Sequence, residues 1–495
     1  MPYPLRLRAA TAVAAAALTV ALSGVTATAA TNQAAAAPRA GLTAGPITLA
    51  SNTDLTGGDD AVMDASGTAY IGWIGNINSA GRTVFLCVLP PGATACKAGI
   101  QSTPSLGTSS AAGLQMLVAG GKVTLVWFHD TNKSVSGPEN AKIATATVTN
   151  GVLSAAHDQG PAPSFGILED AAVGPGGTVW AVTTRSGSQN VQVTPGLGNK
   201  PVTVPTPYLI SSENGAQLAF SGATPIMVID MGGAISQPVS YAAEKNGKWP
   251  AFKPVANTWT GAANFGLATT TSGVRLLATI DNANYWPVVS KWTGSSFSPR
   301  QLTGDKAPCT PNSHDPVADA SGRMTDIYGN CGETVAVANL TDTLHAAVVR
   351  FASGGTLAGP NPQIATSPRG HAWAVWSIEA SVSDNLFAVP MLLPGRDVTA
   401  KATSTKGNEA DLKGPDSCLP PVSIPVKVTG VPAAHWKVTS STLALDGKTI
   451  TGKTLDGSTL TAGKSYTLTG QVSFADGGSK DSATATLKFR SCPKP

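Results

Sequence analysis

"DDAVMDASGTAYIGW" occupies Asp59–Trp73, and "HDPVADASGRMTDIYG" answers it at His314–Gly329. Each runs from paired polar residues through a short apolar stretch to a glycine, then into a second stretch with an aromatic near its end. Two short apolar runs joined at a glycine are the mark of a β-hairpin, because glycine reaches the positive-φ backbone that tight turns need. The unit recurs as "GLQMLVAGGKVTLVW", "EDAAVGPGGTVWAVT", "NGAQLAFSGATPIMV", "FGLATTTSGVRLLAT" and "NPQIATSPRGHAWAVW". Its turn glycines are Gly67, Gly121, Gly177, Gly222, Gly273, Gly322 and Gly370. Six places after the glycine stand Trp73, Trp127, Tyr328 and Trp376, with Thr183, Val228 and Thr279 in the other units.

A self-similar unit of about fifty residues, repeated seven times, predicts an all-β, seven-bladed β-propeller with one four-stranded sheet per blade. The run before each glycine is small and apolar (Ala61 and Val62, Ala171 and Ala172, Val317 and Ala318), as an innermost strand crowded at an axis requires. The aromatic column is expected to pack between blades. The last unit runs through "LFAVPMLLPG" (Leu386–Gly395) and stops one strand short, while "GPITLAS" (Gly45–Ser51) supplies a spare strand at the other end. An N-terminal strand closing the last blade would remove both open edges, which otherwise invite aggregation.

The chain opens with Arg6 and Arg8, an Ala/Val/Leu run, and small residues around Ala29 and Ala30. This is the pattern of a secretory signal peptide cleaved near Ala29/Ala30, with an apolar run too short and weak for a membrane span. Residues 1–30 are therefore expected to be the signal, 31–44 a linker, 45–395 the propeller and 396–495 a C-terminal domain. That last segment reads as short strands between glycine turns ("SIPVKVTG", "STLALDGKTIT", "KSYTLTGQVSF", "SATATLKFRS"), the outline of a small immunoglobulin-like β-sandwich. The protein is expected to be exported, extracellular and monomeric.

Six cysteines in an oxidising compartment imply three disulfides, which proximity assigns as Cys87–Cys96, Cys309–Cys331 and Cys418–Cys492. None shows the spacing of a zinc site. A formal net charge of +4, with 13% charged residues and no basic patch carrying interleaved aromatics, argues against a nucleic-acid partner. The charge is uneven, acidic over residues 41–395 and basic from Arg396 onward, which supports the division into two domains.

In a propeller every inner strand starts on one face. At those starts stand Asp59 and Asp60, Glu169 and Asp170, Asn214, and His314 and Asp315. Counted back seven places from each turn glycine, the series is Asp60, Leu114, Asp170, Gly215, Gly266, Asp315 and Gln363. The loops after the second strands add His129, Asp230 and Glu379, among others, to a largely acidic face. Three uses of that face compete. The aspartates cap backbone amides of the adjoining blade. Alternatively they bind an extracellular glycan, a peptide or protein, or calcium through hard oxygens, while the basic C-terminal segment is expected to hold the protein near an anionic cell-wall polymer. In the third, two carboxylates cleave a glycosidic bond. No organic cofactor is implied, since G-x-S-x-G, H-E-x-x-H, phosphate-loop and dinucleotide motifs are all missing.

With "DASGTAY…W", "DASGRMT…Y" and "FLCVLPPGATAC", the segment 45–395 resembles secreted β-propeller proteins of high-GC Gram-positive (actinobacterial-type) bacteria. It is also weakly similar to the Asp-box propellers of sialidases, whose repeat is S-x-D-x-G-x-x-W. In "MDASGTAY", however, Asp64 stands three places before Gly67 rather than two. The resemblance implies a propeller and, because propellers host binding, scaffolding and hydrolysis alike, no catalytic residues.

Overall fold

The computed structural model describes residues 45–53, 55, 58–76, 82–106, 111–130, 141–159, 167–184, 188–210, 215–230, 239–255, 262–270, 273–280, 286–299, 301–302, 315–318, 324–330, 334–340, 346–352, 362–367, 371–380, 383–392, 397–415, 418–419, 423–461 and 464–491. The expected signal and linker, and both partners of the expected Cys309–Cys331 pair, lie outside these residues.

Among the described residues, the strands from Ile47 to Leu392 form seven antiparallel sheets, one for each repeat unit. Sheet 1 is Asp59–Met63, Ala69–Asn76, Arg82–Leu89 and Gln101–Pro104, each strand paired with the next. The other sheets repeat this meander from inner strands Ala111–Ala119, Ile167–Val173, Ala216–Ser221, Ala262–Thr270, Asp315–Ala318 and Gln363–Thr366. Among the described residues, sheet 7 has three strands of its own. Its fourth is the N-terminal Ile47–Thr53, antiparallel to Ser383–Leu392 with Ile47 opposite Ala388. Each inner strand lies against the inner strand of the next sheet, and that of sheet 7 lies against that of sheet 1. The seven inner strands thus close into a ring, which gives the chain a propeller-like all-β architecture.

Local chemistry explains the hairpins. In sheet 1 the Asp64 carboxylate accepts the Ser66 and Thr68 amide hydrogens at 2.9 and 3.1 Å, and Gly67 turns back with φ of 88°. Packing explains the ring. The apolar clusters lie between consecutive sheets: Ile74, Val84 and Leu86 of sheet 1 meet Leu114, Leu125 and Trp127 of sheet 2. Trp73, Trp127, Tyr328 and Trp376 are all fully buried, so the aromatic column does sit in the core. Trp127 also donates its indole N–H across the seam to the Ser105 carbonyl at 3.0 Å. Where backbones approach closest only glycine fits, for a Cβ on Gly113 would stand 2.3 Å from the Leu168 oxygen.

Cys87 and Cys96 form a disulfide with Cα atoms 5.1 Å apart, tying the third strand of sheet 1 to the loop that follows it. In the C-terminal segment a three-stranded sheet (Asp397–Thr403, Glu409–Pro415, Lys427–Val431) and a five-stranded sheet containing Ser465–Asp476 and Ser479–Ser491 share one core. Ala410 and Leu412 of the first meet Leu468, Val472, Phe474 and Phe489 of the second. Cys418 pairs in parallel with Arg490, two residues before Cys492, which lies outside the described residues.

Candidate functional site

The ring of inner strands places a polar side chain at a recurring position, and its hydrogen bonds define the equivalence. Asp60 Oδ2 accepts the amide hydrogen of Met116 in sheet 2 at 2.5 Å. Asp170 Oδ2 of sheet 3 accepts that of Leu218 in sheet 4 at 2.6 Å. Gln217 of sheet 4 accepts from Leu267 in sheet 5 at 2.7 Å and donates to the Phe265 carbonyl at 3.1 Å. Asp315 Oδ2 of sheet 6 accepts from Ile364 in sheet 7 at 3.1 Å. Each side chain therefore caps the amide that follows its own counterpart in the next sheet, so the counterparts are Asp60, Gln115, Asp170, Gln217, Gly266, Asp315 and Gln363.

This register corrects the sequence alignment at two units. Counting back from the turn glycine selected Leu114 and Gly215, whereas the structure puts Gln115 and Gln217 in those places. The pattern that would have found them is a polar residue opening each inner run: "DAVM", "QMLV", "DAAV", "QLAF", "DPVA" and "QIAT". The exception is instructive. Between sheets 5 and 6 the acceptor place holds Gly266, which has no side chain, and the donor place holds Pro316, which has no N–H. Both halves of the bond are missing together, so no amide hydrogen is left there without an acceptor.

Gln363 joins the two ends of the ring. With its amide nitrogen turned inward it donates to Asp60 Oδ1 at 3.2 Å and to Asp315 Oδ2 at 2.9 Å. Asp60, Gln115, Asp170, Gln217, Asp315 and Gln363 border one cavity of about 810 Å³ that runs along the inner strands towards Ser66 and Gly121. Glu169 also borders it, but the Gly215 amide and the Thr184 hydroxyl occupy its two oxygens. Among the described residues no lysine, arginine or histidine lines the cavity.

Burial dominates the electrostatics. It raises Asp170 to about 7 against the stabilising amides of Leu218 and Ala171, and the charges of Asp315 and Glu169 add to the rise. Asp315 is likewise pushed up to about 7, by burial first and then by Asp326 and Asp59, opposed by the Ile364 amide. Asp60 stands well above the ordinary carboxylate value through burial and the Asp315 charge. Asp59 is raised to about 7 by burial and then by Asp384, and its Oδ2 is buried without a hydrogen-bond partner. Carboxyl groups in this range present both acceptors and donors near neutral pH.

Of the expected site residues, the structure thus brings Asp60, Asp170, Asp315 and Glu169 to one cavity. Asp59 lies beside them without lining it. Asn214 and His314 lie outside the described residues. His129, expected on the open face, is fully buried and bonded through Nε2 to Asp158 at 2.6 Å. Among the described residues, no group of three or more His, Cys, Asp or Glu could hold a metal ion. No described helix is long and apolar enough to cross a membrane.

No family model matches the chain, and no curated protein matches it. Solved structures do resemble it. A protein of unknown function from Dyadobacter fermentans is 10% identical over 70% of this chain and 98% of its own, with a TM-score of 0.40. An ancestral GH74 enzyme is 11% identical over 69% of this chain and 49% of its own, with a TM-score of 0.45. A gluconolactonase from Xanthomonas campestris is 11% identical over 72% of this chain and 98% of its own, with a TM-score of 0.37. At such identities and scores the likeness transfers no activity to this chain.

Proposed function

We propose that this chain is an exported seven-bladed β-propeller, followed by an immunoglobulin-like β-sandwich, that binds an extracellular glycan in its axial cavity without transforming it. The observation that carries this reading is the cavity of about 810 Å³ bordered by Asp60, Asp170 and Asp315 together with Gln115, Gln217 and Gln363. Sugar hydroxyls both donate and accept, and a lining of amides and of carboxyls with raised proton affinity offers the complement. The absence of any lining cation among the described residues fits a neutral ligand better than an acidic one.

The carboxylates favour binding over catalysis. Asp60, Asp170 and Asp315 each accept backbone amides of the adjoining sheet, which fixes them as parts of the frame. A glycosidase reading keeps one specific support: Asp170 and Asp315 at about 7 have the raised affinity for a proton that a general acid needs. The intact disulfide Cys87–Cys96 supports the oxidising compartment that the N-terminal pattern predicts. Pairing of Cys418 with Arg490 supports a Cys418–Cys492 bridge in the C-terminal domain, while Cys309–Cys331 rests on sequence spacing alone.

A glycan array probed with the full-length protein, paired with a reducing-sugar assay on the glycans it captures, tests this reading. Capture without release of reducing ends is the expected result. Release that Asp170→Asn or Asp315→Asn abolishes would replace binding with hydrolysis. No capture of any glycan would end the reading.

A further inference from the structure

The axial acids sit where consecutive sheets join, which gives them a second consequence that does not depend on any ligand. We propose that Asp60, Asp315 and Gln363, together with Asp170, form a pH-sensitive clasp that holds the ring tightest when its carboxyl groups carry protons and loosens it when they ionise together.

The geometry has three parts. First, the carboxylates span seams: Asp60 joins sheets 1 and 2, Asp170 joins sheets 3 and 4, and Asp315 joins sheets 6 and 7. Second, the charges that raise their proton affinity are, among the described residues, acidic. Asp60 faces Asp315 and Asp59, Asp170 faces Asp315 and Glu169, Asp315 faces Asp326 and Asp59, and Asp59 faces Asp384. The neighbouring inner strands contribute the neutral amides of Gln115, Gln217 and Gln363, and no cation lines the cavity among the described residues. Third, one Gln363 amide arm reaches both Asp60 Oδ1 and Asp315 Oδ2, at 3.2 and 2.9 Å. In the orientation that satisfies both ends of the amide, its nitrogen donates to both carboxyl groups. Gln363 thus ties Asp60 and Asp315 together across the seam between sheets 7 and 1 and holds the two acids close to each other.

The sign follows from linkage. Asp170 and Asp315 are raised from 3.8 to about 7 in the folded chain, so between those values the folded state binds more protons than the unfolded state. Stability therefore falls as pH rises through that window, and the fall is complete above about 7.

Thermal unfolding of the full chain from about pH 5 to about pH 8 tests the clasp. The midpoint is expected to drop by roughly 5 °C across the window, and Asp170→Asn or Asp315→Asn, which keep an acceptor oxygen but cannot ionise, should each remove part of the drop. Gln363→Leu, which deprives both carboxylates of their donor, should steepen it. A flat or rising profile in the unaltered chain would overturn the clasp, as would a fall of the same size in both Asn variants. If the variants do not fold, infrared spectroscopy of the unaltered protein decides. Protonated carboxyl bands that persist at about pH 6 and vanish by about pH 8 support the clasp, and their absence at about pH 6 overturns it. None of these readings involves a glycan, so the clasp can fail while the binding function stands.

Discussion

Asp170 and Asp481 are the same chemical group in opposite settings. Asp170 borders the axial cavity, and burial outweighs its two backbone amides to lift it to about 7. Asp481, in the C-terminal segment, sits at the surface, where the Ser404 hydroxyl and the Asn408 amide hold it below the ordinary value. The contrast extends to their surroundings. The ring gathers acids with no lining cation among the described residues, whereas the C-terminal sheets scatter lysines such as Lys401, which reaches Glu409 at 2.7 Å in solvent. Polar groups in the ring are framework, because desolvation makes each bond expensive to lose; those of the C-terminal sheets are mostly surface chemistry that water can replace.

Substitutions in the two regions should differ in size and in pH dependence. The largest expected effect is Trp127→Ala, which empties a fully buried site between sheets 1 and 2 and removes the bond to Ser105. A loss of about 3–5 kcal/mol is expected in denaturant titration, against a much smaller loss for Trp436→Ala, where Lys406 covers a partly exposed ring. Next comes Gln217→Leu. It leaves the Leu267 amide and the Phe265 carbonyl unpaired within the ring, at an expected cost of about 1–3 kcal/mol by the same titration. A neutral result there would mean that water reaches the ring.

Asp481→Ala should cost less, and its pH dependence should have the opposite sign to that of the ring. A group held below 3.8 when folded stabilises above that value, and the contribution is lost as pH falls through the folded value. The Ala variant and the unaltered chain should therefore converge in acid when their unfolding midpoints are compared. Lys401→Ala is expected to leave the midpoint unchanged within error, since its ion pairs to Glu409 and Asp411 are solvent-exposed.

How much of this was legible in the sequence depends on what each residue type can signal. The hairpin glycines and the Trp73, Trp127, Tyr328 and Trp376 column announced the repeat, because turns and large buried rings leave strong local marks. Asp60, Asp170 and Asp315 were visible as charges in a weakly charged chain. Gln115 and Gln217 were not, for a geometric reason. Five-residue turns follow Met63 and Val173, but two-residue turns follow Ala119 and Ser221, so counting from a glycine slips the register in the second and fourth units. Counting from the ends of the inner strands would have aligned all seven within one residue. The Gly266 and Pro316 gap was equally hidden, since a missing donor and a missing acceptor signal nothing until the two are known to face each other.

Residues as distant in sequence as Asp60, Asp170 and Asp315 border one cavity. Carbon-13 NMR titration of aspartate carboxyl groups in the full chain tests that proximity. Carboxyl resonances that titrate near 7 are expected, and Asp315→Asn is expected to shift the midpoints of Asp60 and Asp170, because neighbouring charges couple. Aspartates that all titrate near 3.8, or midpoints for Asp60 and Asp170 that ignore the loss of Asp315, would contradict it.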